Sequence, residues 1–247
     1  MKATTPLSTR WEIQQAEGWA SAQDVSEGTR ADIRLSDDYA VWRRKRSASY
    51  FILKRTLDIV VALIALLICA PAMALIALFI WLEDGGPVIF SREVIGQHGR
   101  MFKMFKFRTM CAHAEDLLRQ DEALLAEYHQ RFKLRQDPRV TRLGRILRKY
   151  SLDEAPQLFN ILAGQMSLVG PRCVPPVEAD LFGEVAEMRV WVKPGLSGLW
   201  QVSGRSDTTY AERIRLDRAY VERCSFWLDV SILLRTLPAV ARGVGAY

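Results

Sequence analysis

The chain has 247 residues, 49% of them hydrophobic and 25% charged. That balance excludes an intrinsically disordered protein and leaves room for one sizeable core plus a membrane element. A net charge of +6 suits an anionic partner, whether nucleic acid, a phosphate-rich substrate or an acidic lipid surface.

In chain order, residues 1–49 read as a loosely ordered N-terminal extension with a short helix. Residues 1–40 hold no apolar run of the kind that opens a cleavable leader, so none is expected. A basic cluster follows, Arg43-Arg44-Lys45-Arg46 and then Lys54-Arg55, and from Ile59 to Leu82 the chain runs 24 residues without a charge. As a straight helix this covers about 36 Å, against a bilayer core of about 30 Å. A buried helix of a soluble core is the alternative. Pro71 sits at the centre of the run, and Arg92, Arg100, Lys103, Lys106 and Arg108 follow it. A central Pro favours a bend, and basic flanks on both sides favour both ends on the cytoplasmic face. Residues 50–84 are therefore expected to form a re-entrant membrane helix bent at Pro71.

After the turn signal Asp84-Gly85-Gly86-Pro87, residues 85–247 read as a cytoplasmic, membrane-associated catalytic domain. Short strands are expected over 88–90 and 101–107, and helices over 114–132, 142–148, 155–162 and 208–223. An apolar stretch over 226–241, interrupted by Pro238, fits either a core helix or one lying in the bilayer interface. The fold class is α+β, mostly helical. Cys69, Cys111, Cys173 and Cys224 form no C-x-x-C pair and only three histidines accompany them. This argues against structural zinc and for thiols in a reducing compartment.

Several constellations suit chemistry on phosphates. In Ser151-Leu152-Asp153-Glu154, adjacent carboxylates repel unless a cation or basic groups stand nearby. With a divalent metal on one, the other is free to attack an electrophilic phosphorus. A helix capping box from Ser151 to Glu154 explains the same residues. Lys106-Phe107-Arg108-Thr109-Met110 suits a pyrophosphate or an amphipathic strand. Val169-Gly170-Pro171-Arg172, Pro194-Gly195-Leu196-Ser197-Gly198 and Gln201-Val202-Ser203-Gly204-Arg205 are loops in which Gly permits close approach to a ligand, or ordinary turns. None matches a P-loop or a dinucleotide fingerprint, which leaves ATP hydrolysis and hydride transfer without support.

Together these segments resemble the monotopic phosphoglycosyl transferases, the bacterial sugar transferases that initiate surface-glycan assembly. The resemblance runs from about Tyr50 to the C-terminus. Besides the motifs above it rests on Lys54-Arg55-x-x-Asp58, Asp137-Pro138-Arg139-Val140-Thr141, Pro156-Gln157-Leu158, Gly198-Leu199-Trp200 and Leu216-Asp217. It implies a re-entrant helix with interfacial helices, and a two-step reaction with Mg²⁺ in which Asp153 attacks the β-phosphorus of a UDP-sugar and undecaprenyl phosphate then displaces it. Glu154 would help hold Mg²⁺. Lys106, Arg108, Arg148, Arg172, Gln201 and Arg205 would bind substrate or its phosphates, with Asp217 grouped beside them in an open role. Ala70, Cys173 and Gln165 stand where the family commonly has Ser, Pro and an acid. The stretch from Leu199 to Asp207 resembles the hexose-using, exopolysaccharide-initiating branch, so UDP-galactose or UDP-glucose is the expected donor and the bacterial inner membrane the expected location. The apolar interfacial surface leaves room for a homodimer. The alternatives are a non-enzymatic membrane-anchored adaptor and a membrane-tethered nucleic-acid binder. Basic residues dispersed among Gly and Pro loops argue against nucleic acid.

Overall fold

The computed structural model describes residues 35–121, 124, 125, 127, 128, 134, 137–204 and 208–242. The helices are α1 (Asp37–Arg44), α2 (Ala48–Asp84), α3 (Ala114–Gln120), α4 (Arg142–Lys149), α5 (Gln157–Leu162), α6 (Pro176–Ala179), α7 (Val185–Arg189), α8 (Tyr210–Arg223) and α9 (Phe226–Arg242). The strands are β1 (Ile89–Ile95), β2 (Met101–Phe107), β3 (Ser167–Val169) and β4 (Gly195–Ser197). The first two pair antiparallel from Ile89↔Phe107 to Ile95↔Met101, and the last two pair parallel. The mostly helical α+β class is as expected.

Of the N-terminal extension, the described part belongs to the core. Asp37 and Asp38 open α1 and Arg43 and Arg44 close it, complementing the helix dipole. Trp42 is buried and its indole N–H donates to the Val221 carbonyl at 2.7 Å. Arg46 lies over the Trp42 ring and donates to the Val221 and Glu222 carbonyls. It thereby satisfies acceptors that the end of α8 would otherwise leave open.

The dominant element is α2, 37 residues long and continuous through Pro71. Ser47 caps its start, accepting from the Tyr50 amide, and Gly85 at φ 69 ends it. One stripe faces the body. Asp58, Val61, Ala62, Ala65 and Leu66 meet the main core, and Met73, Ile76, Ala77 and Ile80 meet a second cluster with Phe107 and Leu147. That stripe recurs every three to four residues, as one helix face must. The opposite face, with Leu63, Ile64, Leu67, Ile68, Leu75, Leu78, Phe79 and Leu82, is apolar and exposed. Only 6% of the most apolar 18-residue window is buried, which disfavours a soluble core helix. An exposed apolar face of this length suits hydrocarbon.

Polar bonds hold α2 to the body. Lys54 donates to the Val169 carbonyl at 2.9 Å and pairs with Asp229 at 2.9 Å. Arg55 donates to the carbonyls of Ile161 and Leu162 at the end of α5. Asp58 accepts from the Ser167 hydroxyl and the Leu168 amide, both at 2.9 Å. At the far end, Arg108 pairs with Asp84 and donates to the Ile80 carbonyl.

Several boundaries differ from expectation. Strand β1 runs to Ile95, because the polar residues Ser91 to Glu93 hydrogen-bond across to β2 as readily as apolar ones. Pro238 lies inside α9 without interrupting it. The helix expected over 114–132 is present as α3 and at 124, 125, 127 and 128, and its other residues lie outside those described. Three-residue β3 and β4 and the short α6 and α7 show no periodicity from which to read them.

Candidate active site

The site is assembled where β2, α4, α5 and the loop after β3 converge. Beyond β2, Met110 bridges to Val140, and the Thr141 amide donates to the Thr109 carbonyl at 3.0 Å. Asp137 and Arg139 brace this bridge as a two-bond ion pair, each bond 2.8 Å. Thr141 then caps α4 by accepting from the Gly144 amide. A Cβ on Gly144 would collide with the Thr109 carbonyl, so Gly is what allows α4 to lie this close. One turn on, Arg148 Nε reaches the Thr109 hydroxyl at 3.0 Å.

After α4 the chain turns sharply into a 3-10 turn, Leu152–Glu154. Ser151 does not form the capping box with Glu154 that its spacing allows. It sits at φ 54 and its side chain makes no capping bond. A left-handed conformation costs a non-glycine residue about 1–2 kcal/mol, and such residues gather at functional sites. Here it leaves Asp153 and Glu154 free for two cations. Lys106 Nζ lies 2.9 Å from Glu154 Oε1 and 3.8 Å from Asp153 Oδ2. Arg172 donates to the same Glu154 oxygen.

The two carboxylates are thus unlike. Burial opposes ionisation of Glu154, but Arg172 and Lys106 outweigh it and hold this group well below the usual carboxylate range. Burial pushes Asp153 up, against Lys106 and with the Glu154 charge adding to the effect. Neighbouring carboxylates driven apart in this way take different chemical roles. Glu154 is a committed anion, whereas Asp153, buried with Lys106 at 3.8 Å rather than 2.9 Å, is the less compensated of the two.

Other expected site residues lie elsewhere. Arg108 is at the end of α2, packed against Gly86. Gln201 donates to the Leu196 carbonyl at 2.9 Å beneath Gly198. Asp217 is buried against Arg189 at 2.6 Å. Pro71 is exposed on α2. Arg205 lies outside the described residues. In the glycine loops the close approach that the structure shows is of one loop to the other. A Cβ on Gly170, Gly195 or Gly198 would strike backbone of the facing loop. The Gly195 amide donates to the Pro171 carbonyl and the Gly170 amide to the Ser197 carbonyl, both at 2.9 Å. This packing launches Arg172 toward Glu154.

Two contributors were missed. Asn160, fully buried, accepts from the Phe105 amide and donates to the Lys103 carbonyl, fixing β2 next to Lys106. An amide amid the apolar residues of α5 was its signal, because a buried amide needs partners. Arg189 had no signal beyond being one arginine among many.

Among the described residues no group of three or more His, Cys, Asp or Glu gathers as a metal cage. Glu154 could supply one carboxylate to Mg²⁺, a hard cation that takes one or two carboxylates and fills its shell with substrate phosphate and water.

Comparison with known proteins decides the family. Residues 49–243 match the family described as bacterial sugar transferase. The chain belongs to the bacterial sugar transferases. An exopolysaccharide production protein of Rhizobium meliloti, ExoY, is 42% identical over 198 residues, which are 78% of this chain and 88% of that protein. The undecaprenyl-phosphate galactose phosphotransferase of Salmonella typhimurium is 42% identical over 210 residues, 82% of this sugar transferase and 43% of the relative. The undecaprenyl-phosphate glucose phosphotransferase of Komagataeibacter xylinus is 39% identical over 208 residues, 79% of the chain and 37% of the relative. The sugar transferase described here therefore spans less than half the length of the last two.

Proposed function

We propose that this protein transfers hexose 1-phosphate from a UDP-sugar to undecaprenyl phosphate, releasing UMP through a phosphosugar-aspartyl intermediate. The observation that carries the reading is the unequal pair: Glu154 meets both Lys106, at 2.9 Å, and Arg172, whereas buried Asp153 has Lys106 at 3.8 Å. Asp153 attacks the β-phosphorus, and the bond from that phosphorus to the bridging oxygen breaks. UMP leaves with the electron pair. An oxygen of undecaprenyl phosphate then attacks the same phosphorus, and Asp153 departs as carboxylate, leaving a lipid-linked diphosphosugar. Lys106, Arg148 and Arg172 offset charge that builds up on the phosphates, in a site where fixed charges act without reorganisation. Glu154 would help hold Mg²⁺, which when bound would neutralise charge on the diphosphate and polarise the phosphorus, leaving Asp153 free to attack. Galactose and glucose are the preferred donors, in line with the names of the relatives.

The path of α2 belongs to the same proposal. Lys54, Arg55 and Asp58 near one end and Ile80 and Asp84 at the other all hold the same body. Two ends held by one folded unit favour a segment that enters the cytoplasmic leaflet, bends at Pro71 and returns. With cysteines placed before Lys54 and after Asp84, an aqueous thiol reagent is expected to label both from the cytoplasmic side. Labelling from opposite sides would discard the re-entrant path.

The deciding assay measures UMP release from a panel of UDP-hexoses with Mg²⁺, with and without undecaprenyl phosphate. Turnover that requires the lipid and is lost in Asp153→Asn is the expected result. Release that persists in Asp153→Asn would keep the enzyme and discard the nucleophile.

A further inference from the structure

Arg172 reaches Glu154 from a loop, and what holds that loop is not in the site itself. On one side Arg172 is bridged to Gly195. On the other it lines a small pocket with Pro171, Cys173, Phe182 and Arg189, where its carbonyl needs a donor. Arg189, the last residue of α7, fills that role. Its Nη2 donates to the Arg172 carbonyl, its Nη1 donates to Asp217 Oδ2 at 2.6 Å, and its guanidinium lies 3.6 Å over the Phe182 ring.

The pairing with Asp217 is lopsided in an informative way. Arginine and carboxylate favour two parallel bonds. Here one guanidinium nitrogen serves the carboxylate and the other is turned to the Arg172 carbonyl. Asp217 Oδ1 is correspondingly buried without a hydrogen-bond partner among the described residues. A buried ion pair is weak as a source of stability, and this one forgoes its second bond to grip a backbone atom of the site. Burial, against Arg189 and Arg213, pushes Asp217 up to about 6, which agrees with an incompletely compensated carboxylate.

We propose that Arg189, oriented by Asp217 and Phe182, is a positioning residue for Arg172, fixing the backbone from which that guanidinium reaches Glu154. This rests on the transferase reading above. Asp217 then acts two steps from the chemistry, through Arg189.

The test is a double-mutant cycle in the UMP-release assay, using the full chain in lipid. Arg189→Met is expected to lower kcat about tenfold, within the range of couplings between contacting residues, with donor KM within about twofold of wild type. In an Arg172→Ala background the same change should cost less than about twofold, because the contact it serves is gone. A merely structural brace would cost the same about tenfold in both backgrounds, and that result would overturn the proposal. Should Arg189→Met fail to fold, Asp217→Asn, which keeps shape and one acceptor oxygen, enters the same cycle with the same two outcomes. A wild type that releases no UMP from any donor overturns the transferase reading and this inference with it, whereas an active wild type with additive losses overturns the inference alone.

Discussion

Two of the buried charge clusters among the described residues are built on opposite plans. Around Lys54 the cluster is closed. Asp229 receives Lys54 and Tyr50 on one oxygen and the Tyr220 hydroxyl on the other, while Lys54 also donates to the Val169 carbonyl and to Tyr220. Around Asp153 the cluster is open. Lys106 and Arg172 converge on Glu154, and Lys106 is 3.8 Å from Asp153. Architecture saturates its charges, because an unmatched buried ion is destabilising. The open cluster leaves unmatched the carboxylate proposed as nucleophile, and a fully satisfied carboxylate makes a poor one.

Four substitutions, in three experiments, break or sharpen that contrast. The largest effect is expected at Asp153. Asp153→Asn should lower turnover by about 10⁴-fold or more, as removal of a nucleophile does, while the melting temperature in detergent stays level or rises. A marked fall in melting temperature would mean that Asp153 is as structural as Asp229. Next, Asp229→Leu strands Lys54 and should cost about 3–5 kcal/mol by denaturant unfolding in micelles. Adding Lys54→Met should restore most of that loss, since an apolar pair replaces an ionic one at little cost. Failure of the second change to rescue would locate the stability in Tyr50 and Tyr220 instead. The smallest effect concerns the turn that opens the site. Ser151→Gly relieves a left-handed serine and should raise stability by up to about 1 kcal/mol, the strain relieved less the entropy added to the unfolded chain. A loss of stability would show that Ser151 contributes more through its side chain than its backbone costs.

Legibility in the sequence followed the range of the interactions. Amphipathic helices α4 and α8 and the apolar run of α2 announce themselves through local periodicity, and Asp153-Glu154 through adjacency. Lys106 and Arg172 were legible as candidates, and the structure brings both onto Glu154. Arg108 was legible as a candidate too, but the structure sets it apart from that pair. It shares a motif with Lys106, but two residues further on, past the end of β2, the chain has turned toward Asp84. Gly170, Gly195 and Gly198 were legible as sites of close approach but not as to what approaches, because the partner of each is another loop distant in the chain. Arg189 could not be singled out at all, since its importance lies in a carbonyl 17 residues away in sequence.

The stripe that α2 presents to the body carries a consequence of phase. Asp58 and Ile80 are both seated on the body, 22 residues apart on one unbroken helix, so the segment between them is a ruler with both ends already fixed. Each residue of an α-helix turns by about 100°. One residue inserted between those seats would rotate one of them out of its socket, and even a compensating four-residue insertion would displace it by about 6 Å along the axis. The count of residues across the apolar run is therefore set by the protein's own two sockets, and tolerance to insertion should be lowest in the stretch whose exposed face otherwise accepts almost any apolar side chain.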